Sequence, residues 1–127
     1  MRKPSNLSET SEQIELAKAL NAARPRLLWT STANGGFRSL KTARTLKAAG
    51  VSPGLPDVLV FTKPPVGGSR LFTGAAIELK RVGAPPSATD DLQTAWLEAL
   101  SATGWAVTVA RGCAEALTFL RSLGYAV

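Results

Sequence analysis

The chain has 127 residues, of which 45% are hydrophobic, and it carries a formal net charge of +6. This length predicts one domain over residues 1–127. No run approaches the roughly 20 apolar residues of a membrane span, so we expect a soluble, cytoplasmic protein. With one cysteine and no histidine, the sequence excludes an internal disulfide, a cysteine-rich zinc site and all histidine-based catalysis.

The excess of basic residues indicates a polyanionic partner, and nucleic acid is the commonest such partner of a small basic domain. The alternative is that the positive charge only keeps the surface soluble. Because histidine is absent, any catalysis in this chain has to use carboxylates, lysine and a metal ion.

The chain begins with a polar segment, residues 1–8, that we expect to be disordered. A helix follows, capped by Ser8 or Ser11 and running to about residue 23, where Pro25 ends it. The apolar positions of this helix are expected to face the core, and they are Ile14, Leu16, Ala17 and Leu20.

A short strand is predicted over residues 27–31, followed by a tight turn at Asn34-Gly35-Gly36. The next helix is predicted over residues 37–49, ended by Gly50. Basic residues recur at every third position here, namely Arg38, Lys41, Arg44 and Lys47. Since no acid interrupts them, we interpret this stripe as a surface that binds phosphates, and an ordinary solvated face is the alternative.

Two apolar runs, residues 58–61 and 75–79, predict a β-hairpin joined by a loop rich in proline and glycine. The hairpin brings Asp57, at the start of the first strand, close to Glu78, near the end of the second. Glu78 and Lys80 are two residues apart and therefore share one face of their strand. Ile77 and Leu79 point the other way, into the core.

Two carboxylates and a lysine on a buried hairpin are unfavourable unless something compensates them, and a divalent metal ion does so. Asp57 and Glu78 can supply oxygen ligands to Mg²⁺ or Mn²⁺, with a backbone carbonyl of Leu79 as a third ligand. Lys80 can then orient or help to activate a water for in-line attack on phosphorus. The alternative is an ordinary Glu–Lys pair on a solvated strand face.

The remaining elements are a helix over residues 88–103, a strand over residues 105–110 and a closing helix over residues 114–123. The apolar side of the first of these helices is predicted to consist of Leu92, Trp96, Ala99 and Leu100. The order of elements predicts an α/β sandwich with a central mixed β-sheet flanked by helices.

Pro56-Asp57, followed about twenty residues later by Glu78-Leu79-Lys80, is the signature of the PD-(D/E)XK nuclease superfamily. The chain resembles the VRR-NUC branch of that superfamily in an ordered set of segments covering about residues 9–123. These segments are Asn34-Gly35-Gly36-Phe37-Arg38, Gly54-Leu55-Pro56-Asp57, Ile77-Glu78-Leu79-Lys80-Arg81, Gln93 to Trp96, and Gly104-Trp105.

The resemblance implies a restriction-endonuclease-like fold and a DNA endonuclease that depends on Mg²⁺ or Mn²⁺. It further implies branched DNA substrates, such as Holliday junctions or flaps, cut by a homodimer. A catalytically silent nucleic-acid-binding or scaffold module on the same fold is the alternative, although the intact Asp57, Glu78 and Lys80 argue against it. The spacing of these residues leaves RNA open as a substrate in place of DNA.

The resemblance also implies further site residues. In the family a glutamate on the opening helix, followed a turn later by a glutamine, reaches the metal site. Glu9, four residues before Gln13, fits this pattern best, and Glu12 is the alternative. Both acids could instead serve only to stabilise the helix N-terminus.

A glutamine on the third helix supports the metal or the attacked phosphate in the family, and Gln93 matches it. A partly buried glutamine satisfied by the backbone is the alternative for this position. Because the Asn-Gly-Gly segment lies close to the site in the family, Asn34 and Arg38 are expected to touch the substrate.

Overall fold

The computed structural model of the protein describes residues 8–32, 39–65 and 71–127. Its helices and strands alternate along the chain except at Val58–Val60 and Ala75–Lys80, which are successive strands, and one short 3₁₀ turn lies at Pro86–Ala88. In chain order they are α1 (Glu9–Ala22), β1 (Trp29–Ser31), α2 (Leu40–Ala48), β2 (Val58–Val60), β3 (Ala75–Lys80), α3 (Asp91–Ala102), β4 (Ala106–Arg111) and α4 (Cys113–Ser122).

The strands form one four-stranded mixed sheet in the order β1-β2-β3-β4. β2 pairs antiparallel with both β1 and β3, so the predicted hairpin is confirmed. β3 and β4 are parallel, and parallel neighbours need a crossover connection, which α3 provides. The expected α/β architecture, a central mixed sheet flanked by helices, is therefore confirmed.

β3 lies at the centre of the sheet, and all of its side chains are buried. Side chains alternate between the two faces of a strand. Ile77 and Leu79 therefore join the main apolar cluster with α1 and α4, whereas Glu78 and Lys80 face α3. The members of that cluster on the two helices include Leu16, Leu20, Ala116 and Leu120, each 1% exposed or less. Helices thus cover both faces of β3.

Two helices begin later than the sequence pattern predicts, because capping residues precede them. Ser39 has an extended backbone, and its hydroxyl accepts the amide of Thr42 at 3.2 Å, so α2 begins at Leu40 rather than at residue 37. Asp90 caps α3 in the same way, which moves the start of that helix from residue 88 to Asp91. The predicted turn at residues 34–36 and most of the terminal segment predicted to be disordered lie outside the described residues.

Three apolar residues predicted to face the core, Ile14, Leu92 and Ala99, are instead exposed. Ile14 is 50% exposed and Leu92 is 53% exposed. In α1 the buried positions recur every four residues at Glu12, Leu16 and Leu20, and Ile14 lies about half a turn away from Leu16. In α3 the buried residue is Leu97, so the face of this helix that meets the core is also rotated relative to the predicted apolar face.

Among the helices in the part of the chain that the structure describes, none has the length and apolar character required to cross a membrane.

The turn before β2 is packed tightly against α3 at Gly54, which has a positive φ of 85°. A Cβ atom at this position would lie 2.7 Å from the carbonyl carbon of Leu92 and 2.8 Å from its Cβ. Gly50 provides a matched comparison, since its φ of 102° is also positive but a Cβ there would have no atom within 4 Å.

We therefore expect Gly54→Ala to destabilise the protein more than Gly50→Ala. Both changes incur the left-handed backbone penalty of about 1–2 kcal/mol, and Gly54→Ala adds an overpacking penalty of about 1–3 kcal/mol. Urea unfolding of the two variants measures this difference. Equal losses of stability would show that the contact with Leu92 relaxes without penalty.

Candidate active site

Asp57 is fixed at the end of the hairpin by contacts from both neighbouring strands. The register that pairs Val58 with Ile77 places Asp57 opposite Glu78. The Asp57 carboxylate accepts the amide of Leu79 at 2.7 Å, and the Asp57 carbonyl accepts the amide of Thr32 at 2.9 Å. The side chain is therefore held at the point where β2 begins and β3 ends.

Glu78 and Lys80 lie side by side on the face of β3 that meets α3. Their side chains are almost fully buried, with Glu78 2% exposed and Lys80 8% exposed. The Lys80 Nζ atom lies 3.6 Å from Glu78 Oε2. The shared face predicted from their spacing is confirmed, and their burial excludes the solvated strand pair that was its alternative.

Gln93, at the start of α3, links these two residues. Its Oε1 atom accepts Lys80 Nζ at 3.1 Å, and its Nε2 atom donates to Glu78 Oε2 at 3.3 Å. The same Oε1 atom accepts the backbone amide of Asp90 at 3.0 Å. Gln93 thus combines the two roles that sequence reasoning treated as alternatives, since it bonds to both the backbone and the site.

Asp90 holds Gln93 in place, and the sequence interpretation missed this role. The Asp90 carboxylate accepts the amide of Gln93 at 2.8 Å, so the two residues form a reciprocal capping box. The signal was present, because an acid three residues before a glutamine at a helix start is typical of such a cap. The cap fixes the first turn of α3, and with it the Gln93 amide, against β3.

The structure separates the two glutamates of α1. Glu9 interacts electrostatically with the site: burial, and then the charge of Asp57, raise the pKa of Glu9, while the charge of Lys80 partly offsets that rise. Glu12 points elsewhere: its Oε2 atom accepts the backbone amide of Cys113 at 3.1 Å. Of the two alternatives, Glu9 is the one whose charge interacts with Asp57 and Lys80, whereas Glu12 binds the start of α4.

The two carboxylates of the hairpin interact strongly with each other. The pKa of Glu78 is raised to about 8, first by burial, then by a hydrogen bond to Asp57 and the charge of Asp57, with Lys80 opposing the rise. A proton therefore relieves the repulsion between the two acids. A divalent cation would do the same with greater charge, and would replace that proton.

The residues present fit a small divalent metal such as Mg²⁺. Within residues 8–32, 39–65 and 71–127, no three Asp, Glu, His or Cys side chains cluster to form a metal site by themselves. The carbonyl of Lys80 accepts the amide of Gly112 beside β4, so strand alternation turns the amide and carbonyl of Leu79 towards Asp57. Two carboxylates with one carbonyl, completed by waters, suit Mg²⁺, which retains several waters when it binds to proteins.

The predicted phosphate-binding stripe is described only in part. Lys41, Arg44 and Lys47 are exposed on α2, and within that helix, all of which the structure describes, no side chain is buried. The three cations therefore lie at the surface, where an external partner could reach them. Asn34 and Arg38 lie outside the described residues.

The raised pKa of Glu78 predicts a pH dependence of stability in metal-free protein. Because the folded protein holds this proton up to about pH 8 and the unfolded chain loses it near 4.5, stability should fall as pH rises between those values. Glu78→Gln removes the titrating group, so the variant should gain thermal stability relative to the unmodified protein as pH rises. Thermal unfolding in EDTA from pH 5 to pH 9 measures this.

Glu98→Gln is the matched control, since Glu98 is an exposed acid on α3. It should leave the slope of melting temperature against pH unchanged. If Glu78→Gln and Glu98→Gln gave the same slope, the pKa of Glu78 would not be raised in the folded protein.

Comparison with known proteins supports the architecture. No protein-family model matches the chain, and no curated protein matches it. Among solved structures, the fold is similar to a chain described as a VRR_NUC domain protein, with a TM-score of 0.75 and 19% sequence identity, covering 98% of this chain and 91% of that one. The VRR-NUC resemblance of the sequence is thus confirmed at the level of the fold, which is the restriction-endonuclease-like α/β fold.

Proposed function

We propose that this protein is a metal-dependent DNA endonuclease that hydrolyses phosphodiester bonds. The observation that carries the proposal is the partly buried cluster in which Asp57, Glu78, Lys80 and Gln93 meet at the end of the hairpin. This cluster lies on a fold shared with a VRR_NUC domain protein. A buried group of acids and a lysine with a raised carboxyl pKa is typical of a functional site.

Asp57, Glu78 and the Leu79 carbonyl would hold Mg²⁺ or Mn²⁺. When bound, such an ion lowers the pKa of a coordinated water and neutralises charge that develops on the phosphate. We assign Glu9, whose carboxylate interacts electrostatically with Asp57 and Lys80, to the margin of the site.

Lys80 positions the nucleophile and stabilises the charge of the reacting phosphate. An ammonium group has three N–H donors, of which one reaches Gln93 and another faces Glu78. The third is available for a water or a phosphate oxygen. Because Gln93 bonds to both Lys80 and Glu78, it keeps the cation and the metal-binding carboxylate at a fixed separation before the substrate arrives, which is the preorganisation that electrostatic catalysis requires.

The DNA backbone would be bound in part by α2. Its exposed cations Lys41, Arg44 and Lys47 supply charge that attracts phosphates, in agreement with the net charge of +6. The resemblance of the sequence assigns Asn34 and Arg38 to contact with the substrate as well.

We further propose that the substrate is branched DNA, such as a four-way junction or a flap, and that a homodimer cuts it. Each chain contributes one cluster around Asp57 and Glu78, so one chain provides a single cutting site. A four-way junction has two-fold symmetry, and a two-fold dimer would present equivalent sites to two opposing strands.

The proposed activity is tested by cleavage of labelled four-way junction, flap, duplex and single-stranded DNA. We expect cleavage with Mg²⁺ or Mn²⁺ and none in excess EDTA, while Ca²⁺, which is larger and less strict in geometry, permits binding with little cutting. Full activity in EDTA would rule out the two-carboxylate mechanism. Binding without cleavage under every metal condition would instead identify a catalytically silent module.

Lys80→Ala should slow cleavage by about two to four orders of magnitude, because Lys80 acts on the reacting phosphate. The variant should bind DNA with nearly unchanged affinity, because that affinity comes from many phosphate contacts. Lys18→Ala is the matched control, since Lys18 is an exposed lysine paired with Glu15 on α1. Single-turnover cleavage and a binding titration on the same DNA separate the two effects. A normal cleavage rate in Lys80→Ala would remove the assigned role.

A further inference from the structure

Glu12 is a buried acid that the proposed chemistry does not use. It is 7% exposed, and its Oε2 atom accepts the amide of Cys113 at 3.1 Å across 101 residues of sequence. A buried carboxylate is unfavourable unless hydrogen bonds compensate it. The first turn of α4 supplies such a bond together with the positive end of the helix dipole.

The start of α4 is built to receive this carboxylate. The N-cap residue, Gly112, has no side chain to accept a first-turn amide, and Glu12 provides the acceptor from α1. Gly112 also permits the close approach, because a Cβ at this position would lie 3.2 Å from Glu12 Oε1 and 2.6 Å from Val82 Cγ2. Its φ of 94° further favours glycine.

This contact is connected directly to the candidate active site. The amide of Gly112 donates to the carbonyl of Lys80 at 2.9 Å, so the turn that binds Glu12 is attached to the end of β3. On α1, Glu9 lies three residues before Glu12, and residues at this spacing are neighbours on one side of a helix. The Glu12 contact therefore joins the helix turn that carries Glu9 to the strand that carries Glu78 and Lys80.

We propose that Glu12 is a positioning residue, which sets the location of the Glu9 carboxylate relative to Asp57 and Lys80 by holding the first turn of α1 against Gly112 and Cys113. The inference rests on the proposed function. It assigns Glu12 a role that is exerted through Glu9, in place of the direct contact with metal that the sequence left open for it.

The test is Mn²⁺ binding to the full chain, measured by isothermal titration calorimetry, with junction cleavage as a second readout. Four proteins are compared: the unmodified chain, Glu12→Ala, Glu9→Ala and the double variant. We expect Glu12→Ala to weaken Mn²⁺ binding roughly tenfold, the scale on which a residue that orients a metal ligand acts. In the Glu9→Ala background the same change should have no further effect, because both residues act through one carboxylate.

Two further variants separate positioning from general stability. Glu12→Gln keeps an oxygen for the Cys113 amide and should retain most of the Mn²⁺ affinity. Leu20→Val loosens the packing of α1 at its far end, and should lower the melting temperature without changing Mn²⁺ affinity. If Glu12→Ala does not fold, Glu12→Asp, which is shorter by one methylene, replaces it in the comparison with and without Glu9→Ala. We then expect a smaller loss of Mn²⁺ affinity.

The outcomes are distinct. The positioning role would be overturned if Glu12→Ala left Mn²⁺ affinity unchanged, or if it lowered that affinity equally in the presence of Glu9 and in the Glu9→Ala background. The nuclease proposal would stand in either case. An unmodified protein that binds no Mn²⁺ and cuts no DNA would overturn the proposed function, and this inference with it.

Discussion

The repulsion between two acids, Asp57 and Glu78, is the constraint on which the rest of the site depends. The hairpin register places them opposite each other, and burial of Glu78 removes the water that would otherwise screen their charges. The surrounding contacts compensate this repulsion only in part. The Leu79 amide binds one carboxylate, and Lys80 with Gln93 binds the other.

The architecture makes this arrangement rigid. β3 is the only strand flanked by both an antiparallel and a parallel neighbour within the described sheet, and its buried side chains leave Glu78 and Lys80 little room to move. Gln93 reaches the same strand from the capped start of α3, so the cap that begins the helix also organises the site. One set of hydrogen bonds therefore serves both folding and the proposed chemistry.

Much of this could be predicted from the sequence because the hairpin is local. Residues 58–61 and 75–79 form consecutive apolar runs, and the two-residue period of a strand alone places Glu78 and Lys80 on one face. The two-residue period of a strand could not distinguish Glu9 from Glu12. These residues lie on the same face of one helix, and which of them reaches the site depends on how far α1 is shifted along the sheet. That position is set by the contact of Glu12 with Cys113, a hundred residues away in the chain. Ile14 was wrongly predicted to face the core for a related reason, because the buried position one turn before Leu16 is occupied by an acid, Glu12, and apolar character alone does not indicate it.

The most direct test of the account is the location of a bound metal ion. Crystals of the protein soaked in Mn²⁺ would be measured at a wavelength where manganese scatters anomalously. The account predicts one strong anomalous peak within about 2.0–2.3 Å of carboxylate oxygens of both Asp57 and Glu78, and close to the carbonyl of Leu79. An anomalous map with no peak between these two carboxylates at saturating Mn²⁺, or with manganese bound only elsewhere, would contradict it.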